Sequence, residues 1–304
     1  MMAMLNILAA ADPMEHVVPH TIVDFPSFLG PGFHYLGGMI YLPARLPFTN
    51  HMLMSLIAAL LMLIVFPFLA RDYPLVPSGV RNLFESVLEF IRKEVAQPAL
   101  HEHTDRFMPF LWAMFFFILF NNLLGLIPLD AASTAFAGRS HLFGTATAGL
   151  SITAGLAIIS FLVFHGAGVV VQYEHGVAHG WSRLAAGLAA VPRYLHTLVP
   201  PVPGVVGWVL YLPMMGLEFA LSFVKPFALA IRLFANMLAG HVVLASLLLL
   251  APVGFKLAAL GISVPTVLGC VGLSCLELFV AFLQAYIFTF LTAMFIGAAV
   301  SPEH

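Results

Sequence analysis

Apolar positions run along this chain in long stretches with little alternation. Four regions are apolar for long enough to lie in a hydrocarbon slab, which a helix crosses in roughly 20 residues. They are about Met52 to Leu69, Phe107 to Ile127, Ala146 to Phe164, and Val205 to Val300, the last broken near Ala251 and Pro252 into two segments. Read as one helix, Leu210 to Leu250 reaches roughly 60 Å at about 1.5 Å per residue, about twice the hydrocarbon thickness, so strong tilt is expected of the last pair. Pro213 and Pro226 kink the first of that pair without ending it. Between the first two spans Val80, Leu83, Phe84, Val87, Leu88, Ile91 and Val95 recur at helical spacing, opposite Arg81, Glu85, Glu89, Arg92 and Lys93. Pro77 to Ala99 therefore reads as an amphipathic helix on the membrane surface. From His165 to Gly204 the chain is less apolar, with Tyr173, Glu174, Arg183, Arg193 and the run Pro200 to Pro203, and reads as a connector with room for a short helix. The pattern predicts an all-α integral membrane protein: five membrane-embedded helices plus one amphipathic surface helix, the last two long and tilted as a hairpin. Residues 1–50 form an N-terminal outside segment and 51–304 a single membrane domain.

Composition sharpens this picture. Hydrophobic residues make up 61% of the chain and charged ones 9%, more apolar surface than one soluble core could bury, so the lipid bilayer is the solvent. A net charge of -2 without a basic cluster excludes nucleic acid as a partner. Cys270 and Cys275 both lie within an apolar run, where thiols behave as small hydrophobes and a disulfide framework is not expected. The opening stretch has no Lys or Arg ahead of its apolar residues, so it reads as a mature N-terminus and not a cleaved signal.

The basic residues orient the chain. None occurs in residues 1–44, whereas Arg71, Arg81, Arg92, Lys93 and Arg106 fall in the first loop, which the positive-inside rule places inside. Five spans then carry an outside N-terminus to an inside C-terminus. Arg183 and Arg193 land inside; Arg45, Arg139 and Lys256 land outside and break the rule in detail.

Ionisable groups within membrane spans are costly and mark function. Five stand out: Glu218, Lys225, Arg232, His241 and Glu277. The first three are spaced seven apart, so they drift only about 20° per step and share one stripe, which Asn236 extends at i+4 from the arginine. His241, nine residues past Arg232, falls on the opposite side of that helix. On the last helix Cys270, Glu277 and Gln284 share a face. Arginine keeps its proton at any physiological pH, so Arg232 is a fixed positive charge, while His241 and Glu277 have side chains that exchange protons. A fixed cation about 4 Å from a carboxylate in partly wet protein is worth on the order of 4 kcal/mol, or about three pKa units toward ionisation. That suffices to strip a proton from an acid carried past it.

The segment from Lys225 through Pro226, Arg232-Leu-Phe-Ala-Asn236 and Gly240 to His241 resembles the signature of subunit a of F-type ATP synthases. Glu277 through Phe288 is similar to the last helix of that family, and Phe120 through Asn121, Asn122 and Leu123 to Pro128 to its Asn-Leu-x-x-Leu-x-Pro element. The likeness covers the chain from about His51 to the C-terminus, departing at Gly125 and across Gly144 to Ser151, where members commonly carry polar or acidic residues. It implies the stationary proton-channel subunit of a rotary synthase, with no catalysis of its own. Arg232 would face the ring of subunit c; His241 and Glu277 would be the exchanged pair of one proton path. Glu218, Asn236 and Gln284 would line the aqueous half-channels or flank the arginine, with Lys225 and Asn122 as further candidates. The implied partners are the subunit c ring, the peripheral stalk subunit b and the other synthase subunits. The implied site is an energy-coupling membrane, taken as the bacterial plasma membrane, with an organellar membrane and sodium coupling left open.

A structural ion pair locking two helices competes at His241 and Glu277, helix–helix hydrogen bonding at Glu218 and Gln284, and snorkelling at Lys225. His175 with His179 and His101 with His103 have metal-ligand spacing but no third ligand, so no metal is expected; no phosphate-cradling glycine loop is present, so no nucleotide or other cofactor is expected either. A secondary ion transporter is the alternative function, and the absence of two related halves argues against it.

Overall fold

The computed structural model describes residues 21–26, 34–35, 40–41, 45–70, 79–127, 149–197, 205–250 and 257–300. The first twenty residues, Arg71, the loop with Arg139 and the Gly144 block, the Pro200–Pro203 run, and the break near Ala251 with Lys256 lie outside them.

The helices follow the apolar runs. α1 is Asn50–Ala70. α2 comprises an α-helix Val80–Phe90, a π-helical stretch Ile91–Ala96 and a last turn Gln97–Leu100. A short 3-10 turn, His101–His103, leads into α3, Thr104–Leu126. α4 is Leu150–Ala178, α5 Arg183–Thr197, α6 Val205–Leu250 and α7 Leu257–Val300. Five stretches among them are long and apolar enough to cross a membrane. α6 and α7 have 46 and 44 residues, about 70 Å each at the helical rise, so the expectation of two over-long helices holds. α6 carries Pro213 and Pro226 inside it and stays one helix.

Two features go beyond the sequence reading. α4 continues past Phe164 to Ala178, and the connector contains α5, so 165–204 is helical over most of its described length. Ahead of α1 the chain forms short antiparallel strand pairs: β1 (Thr21–Pro26) with β4 (Arg45–Thr49), and β2 (His34–Tyr35) with β3 (Ile40–Tyr41).

The chain divides into two compact units. The first holds Met1–Val65, Phe117–Ile152 and Leu233–Phe282. Thr49 caps α1 there, its hydroxyl accepting the Met52 N–H at 3.4 Å, which satisfies one of the helix's orphan donors. Met54, Ala58, Ile118, Leu119, Leu233, Met237 and Ala281 are buried apolar residues of this unit.

The second unit holds Phe66–Phe116, Thr153–Arg232 and Leu283–His304. In it the apolar face of α2 packs on α3: Phe84 stacks on Phe116 at 5.5 Å, and the Trp112 indole N–H donates to the Leu88 carbonyl at 3.1 Å. The outward face of α2 pairs Lys93 with Glu89 at i,i+4. Arg106 on α3 grips Glu174 on α4 through two N–H donations of 2.9 and 3.0 Å. α4 and α5 form an antiparallel hairpin turned at Gly180, whose φ of +82° is one that only glycine adopts freely. Ala186, Ala190 and Tyr194 give α5 a buried stripe against α4.

Candidate functional site

The two units each hold part of the polar set, and each part has its own geometry.

In the first unit α7 brings Glu277 against α6 at Gly240. A methyl group at position 240 would lie 2.6 Å from the Glu277 Oε1 and 3.2 Å from its Cδ, so the carboxyl group occupies the space a side chain would fill. Glu277 is half-buried, and its Oε1 is enclosed with no hydrogen-bond partner among the described residues. His241 follows Gly240 on the same helix turn. The notch therefore sets Glu277 beside the backbone that carries His241. Asn236 lies one turn earlier on α6 and is exposed. Asn122 on α3 is fully buried and donates its side-chain N–H to the Ala281 carbonyl of α7 at 3.1 Å, one turn from Glu277. Its Oδ1 has no partner among the described residues. The arrangement holds a titratable carboxyl group, with an unbonded oxygen, within an apolar helix pair: a place where a proton can be taken up and given up.

In the second unit the α6 stripe of Glu218, Lys225 and Arg232 lies on a helix that Pro226 does not interrupt. Glu218 and Lys225 are half-buried; Arg232 is exposed. Arg232 makes no hydrogen bond or ion pair with any described residue. Lys225 is held by α7, its ammonium 5.5 Å from the centre of the Phe295 ring. Ser222, between the two, is buried and donates to the Phe219 carbonyl at 2.7 Å. Gln284 on α7 is buried.

Three residues received no role of their own from the sequence pattern. Gly240 is one, and its place directly before His241 was the available signal. The others are His165 on α4 and Tyr194 on α5, joined by a 2.9 Å hydrogen bond. Burial pushes the Tyr194 phenol up to about 12, so it stays a hydroxyl at physiological pH. The signal for His165 was a lone imidazole at the end of an apolar run. His175 and His179 stack face to face at 4.4 Å, an arrangement that does not converge their nitrogens on one point. Among the described residues no three potential ligands gather. Cys270 and Cys275 are both free thiols.

Comparison with known proteins adds a second line of observation. The family described as ATP synthase A chain matches residues 52–297. The chain is similar to a protein named ATP synthase subunit a from Chloroherpeton thalassium, 36% identical over 96% of this chain and 77% of that one. One of the same name from Anaeromyxobacter dehalogenans is 42% identical over 82% of this chain, which spans only 57% of that relative. A third, ATP synthase subunit a 2 from Chlorobaculum tepidum, is 33% identical over 94% of this chain and 72% of its own.

Proposed function

The chain belongs to the ATP synthase A chain family, and from that premise we propose that it is the stationary proton-channel subunit of a rotary F-type ATP synthase, acting through the polar groups of α6 and α7. It is a membrane subunit of the synthase, and the family match leaves the secondary-transporter alternative unsupported. The chain itself supplies no catalytic group.

The observation that carries the residue assignment is Arg232, a permanent charge on an apolar span with no partner among the described residues. A ring of subunit c supplies that partner as a succession of carboxylates. Glu277 in its notch and the adjacent His241 deliver protons from the outside half-channel to a ring carboxyl group. Rotation carries the neutral acid through the lipid until it meets Arg232, whose charge at about 4 Å favours ionisation by on the order of 4 kcal/mol. The proton then leaves through an inside half-channel lined by Glu218, Lys225 and Gln284, and Asn236 flanks the arginine. Arg232 also separates the half-channels, since a hydrated proton cannot pass a fixed cation cheaply. Each proton crossing the membrane yields about 2.3 kcal/mol per 100 mV, so several are needed per ATP.

The N-terminus is outside and the C-terminus inside, in a bacterial plasma membrane. Besides the ring, the chain assembles with the peripheral stalk subunit b and the remaining synthase subunits. Replacing Arg232 by alanine in the assembled complex tests the assignment. Proton-driven ATP synthesis should disappear while the soluble head still hydrolyses ATP; synthesis at the parental rate would refute it.

A further inference from the structure

α4 holds an ionisable ring that does not belong to the α6 stripe. The His165 imidazole packs against Phe161 at 4.3 Å and Phe164 at 4.1 Å between ring centres. Phe161 in turn meets Phe223 of α6 at 4.9 Å, and Phe164 meets Phe295 of α7 at 6.1 Å. That Phe295 ring is the one beneath the Lys225 ammonium. Aromatic contacts thus tie His165 to α6 and α7, and its polar contact ties it to α5: Nδ1 lies 2.9 Å from the Tyr194 hydroxyl. The remaining nitrogen, Nε2, is enclosed and bonds to no described residue.

The tyrosine is seated by shape. A methyl group at Gly168 would fall 2.2 Å from the Tyr194 ring, so the phenol rests directly on the bare backbone of α4. Further along the same seam a methyl group at Gly176 would come within 3.2 Å of the Ala186 Cβ. The α4–α5 hairpin, in the stretch the sequence offered as a connector with room for a short helix, therefore fixes one nitrogen of His165 and leaves the other unbonded among the described residues. An enclosed ring nitrogen without a bond is uncommon for a histidine kept only for packing.

We propose that His165 is a further proton-carrying residue of the inside half-channel, positioned by Tyr194; this rests on the reading of the chain as a proton-channel subunit. In the tautomer that donates Nδ1–H to the Tyr194 oxygen, Nε2 presents a lone pair. An Nε2–H bond forms as an O–H bond of a protonated water breaks, and the reverse step returns the proton to water toward the inside. The ring is unchanged over the cycle. Among the described residues the polar groups that act on the imidazole are the Tyr194 hydroxyl from α5 and the Lys225 ammonium from α6, while the Phe295 ring of α7 packs on the neighbouring Phe164. None is a carboxylate that would trap the proton as an ion pair.

The test uses the whole synthase in inverted membrane vesicles, with His165→Gln and Tyr194→Phe variants. ATP-driven acidification is followed across pH 6 to 9, and assembly is followed by recovery of the complex. His165→Gln should assemble and pump about five-fold or more slowly. Tyr194→Phe keeps the ring on Gly168 but removes the bond to Nδ1, and should move the midpoint of the pH profile by roughly half a unit. Parental pumping with an unchanged profile in His165→Gln overturns the proposal. If that variant fails to assemble, an unshifted profile in Tyr194→Phe overturns it and a shifted one supports it. Retained synthesis in Arg232→Ala would instead sink the parent reading, so the two failures are distinguishable.

Discussion

Substituting Gly240 by alanine separates the placement of Glu277 from the integrity of the fold. The added methyl group would stand 2.6 Å from Oε1, 3.2 Å from Cδ and 3.3 Å from Cγ of Glu277, and an ordinary contact begins near 3.4 Å, so the carboxylate must retreat by about 0.8 Å. The clash falls on the tip of a side chain with rotatable bonds, and leaving its rotamer costs about 0.5–1.5 kcal/mol. Alanine in place of glycine within a helix returns about 0.8–1.0 kcal/mol. The two nearly cancel, so the complex should assemble in parental amount. Function should not cancel in the same way, because a displacement near 1 Å of a reacting group lowers a rate by up to about a hundredfold. We expect ATP-driven proton pumping in inverted vesicles to fall roughly ten-fold. Shortening the acid in the double variant Gly240→Ala/Glu277→Asp should recover part of the loss by removing one methylene from the crowded notch. Parental pumping by an assembled Gly240→Ala complex would refute the reasoning, because the position of Glu277 would then not govern proton delivery.

Other changes follow from the packing. Gly297→Ala would bring a methyl group to 2.0 Å from the Ala99 backbone oxygen, which cannot swing aside, so about 3 kcal/mol or more of overpacking should sharply reduce recovered complex; normal recovery would contradict this. Asn122→Leu removes the donation to the Ala281 carbonyl, and since helix–helix hydrogen bonds in membranes average about 0.6 kcal/mol, thermal inactivation of the complex should shift only slightly. Complete loss of assembly would show that estimate to be wrong. Arg106→Gln breaks the paired contact with Glu174, but both side chains are about half exposed, so the cost should stay within about 1 kcal/mol and shrink in high salt. A larger, salt-independent cost measured by thermal inactivation would count against it.

What could be read from the sequence, and what could not, divides along the range of the interactions. Apolar run length and helical spacing are local, and they located α1, α2, α3, α6 and α7 and placed Glu218, Lys225 and Arg232 on one face. The end of α4 could not be located that way. His165 and Glu174 lower the hydropathy after Phe164, but Tyr194 bonds the first and Arg106 the second, from 29 and 68 residues away, so the helix continues. α5 was legible only as room for a short helix, for a related reason: its buried stripe is alanine, alanine and tyrosine, apolar only in the company of the α4 glycines. The nearness of Glu277 to the helix turn of His241 was expected from a resemblance; the glycine that permits it is a fact of packing. β1 and β4 pair across some twenty residues rich in glycine and proline, which no periodicity in either strand announces.

The central claim is that Arg232 finds its missing partner in a passing ring of acids. A structure of the assembled membrane sector tests this most directly. The claim predicts a subunit c carboxylate brought to within about 4 Å of the Arg232 guanidinium. A guanidinium turned to lipid headgroups, with no rotor helix beside α6, would contradict it.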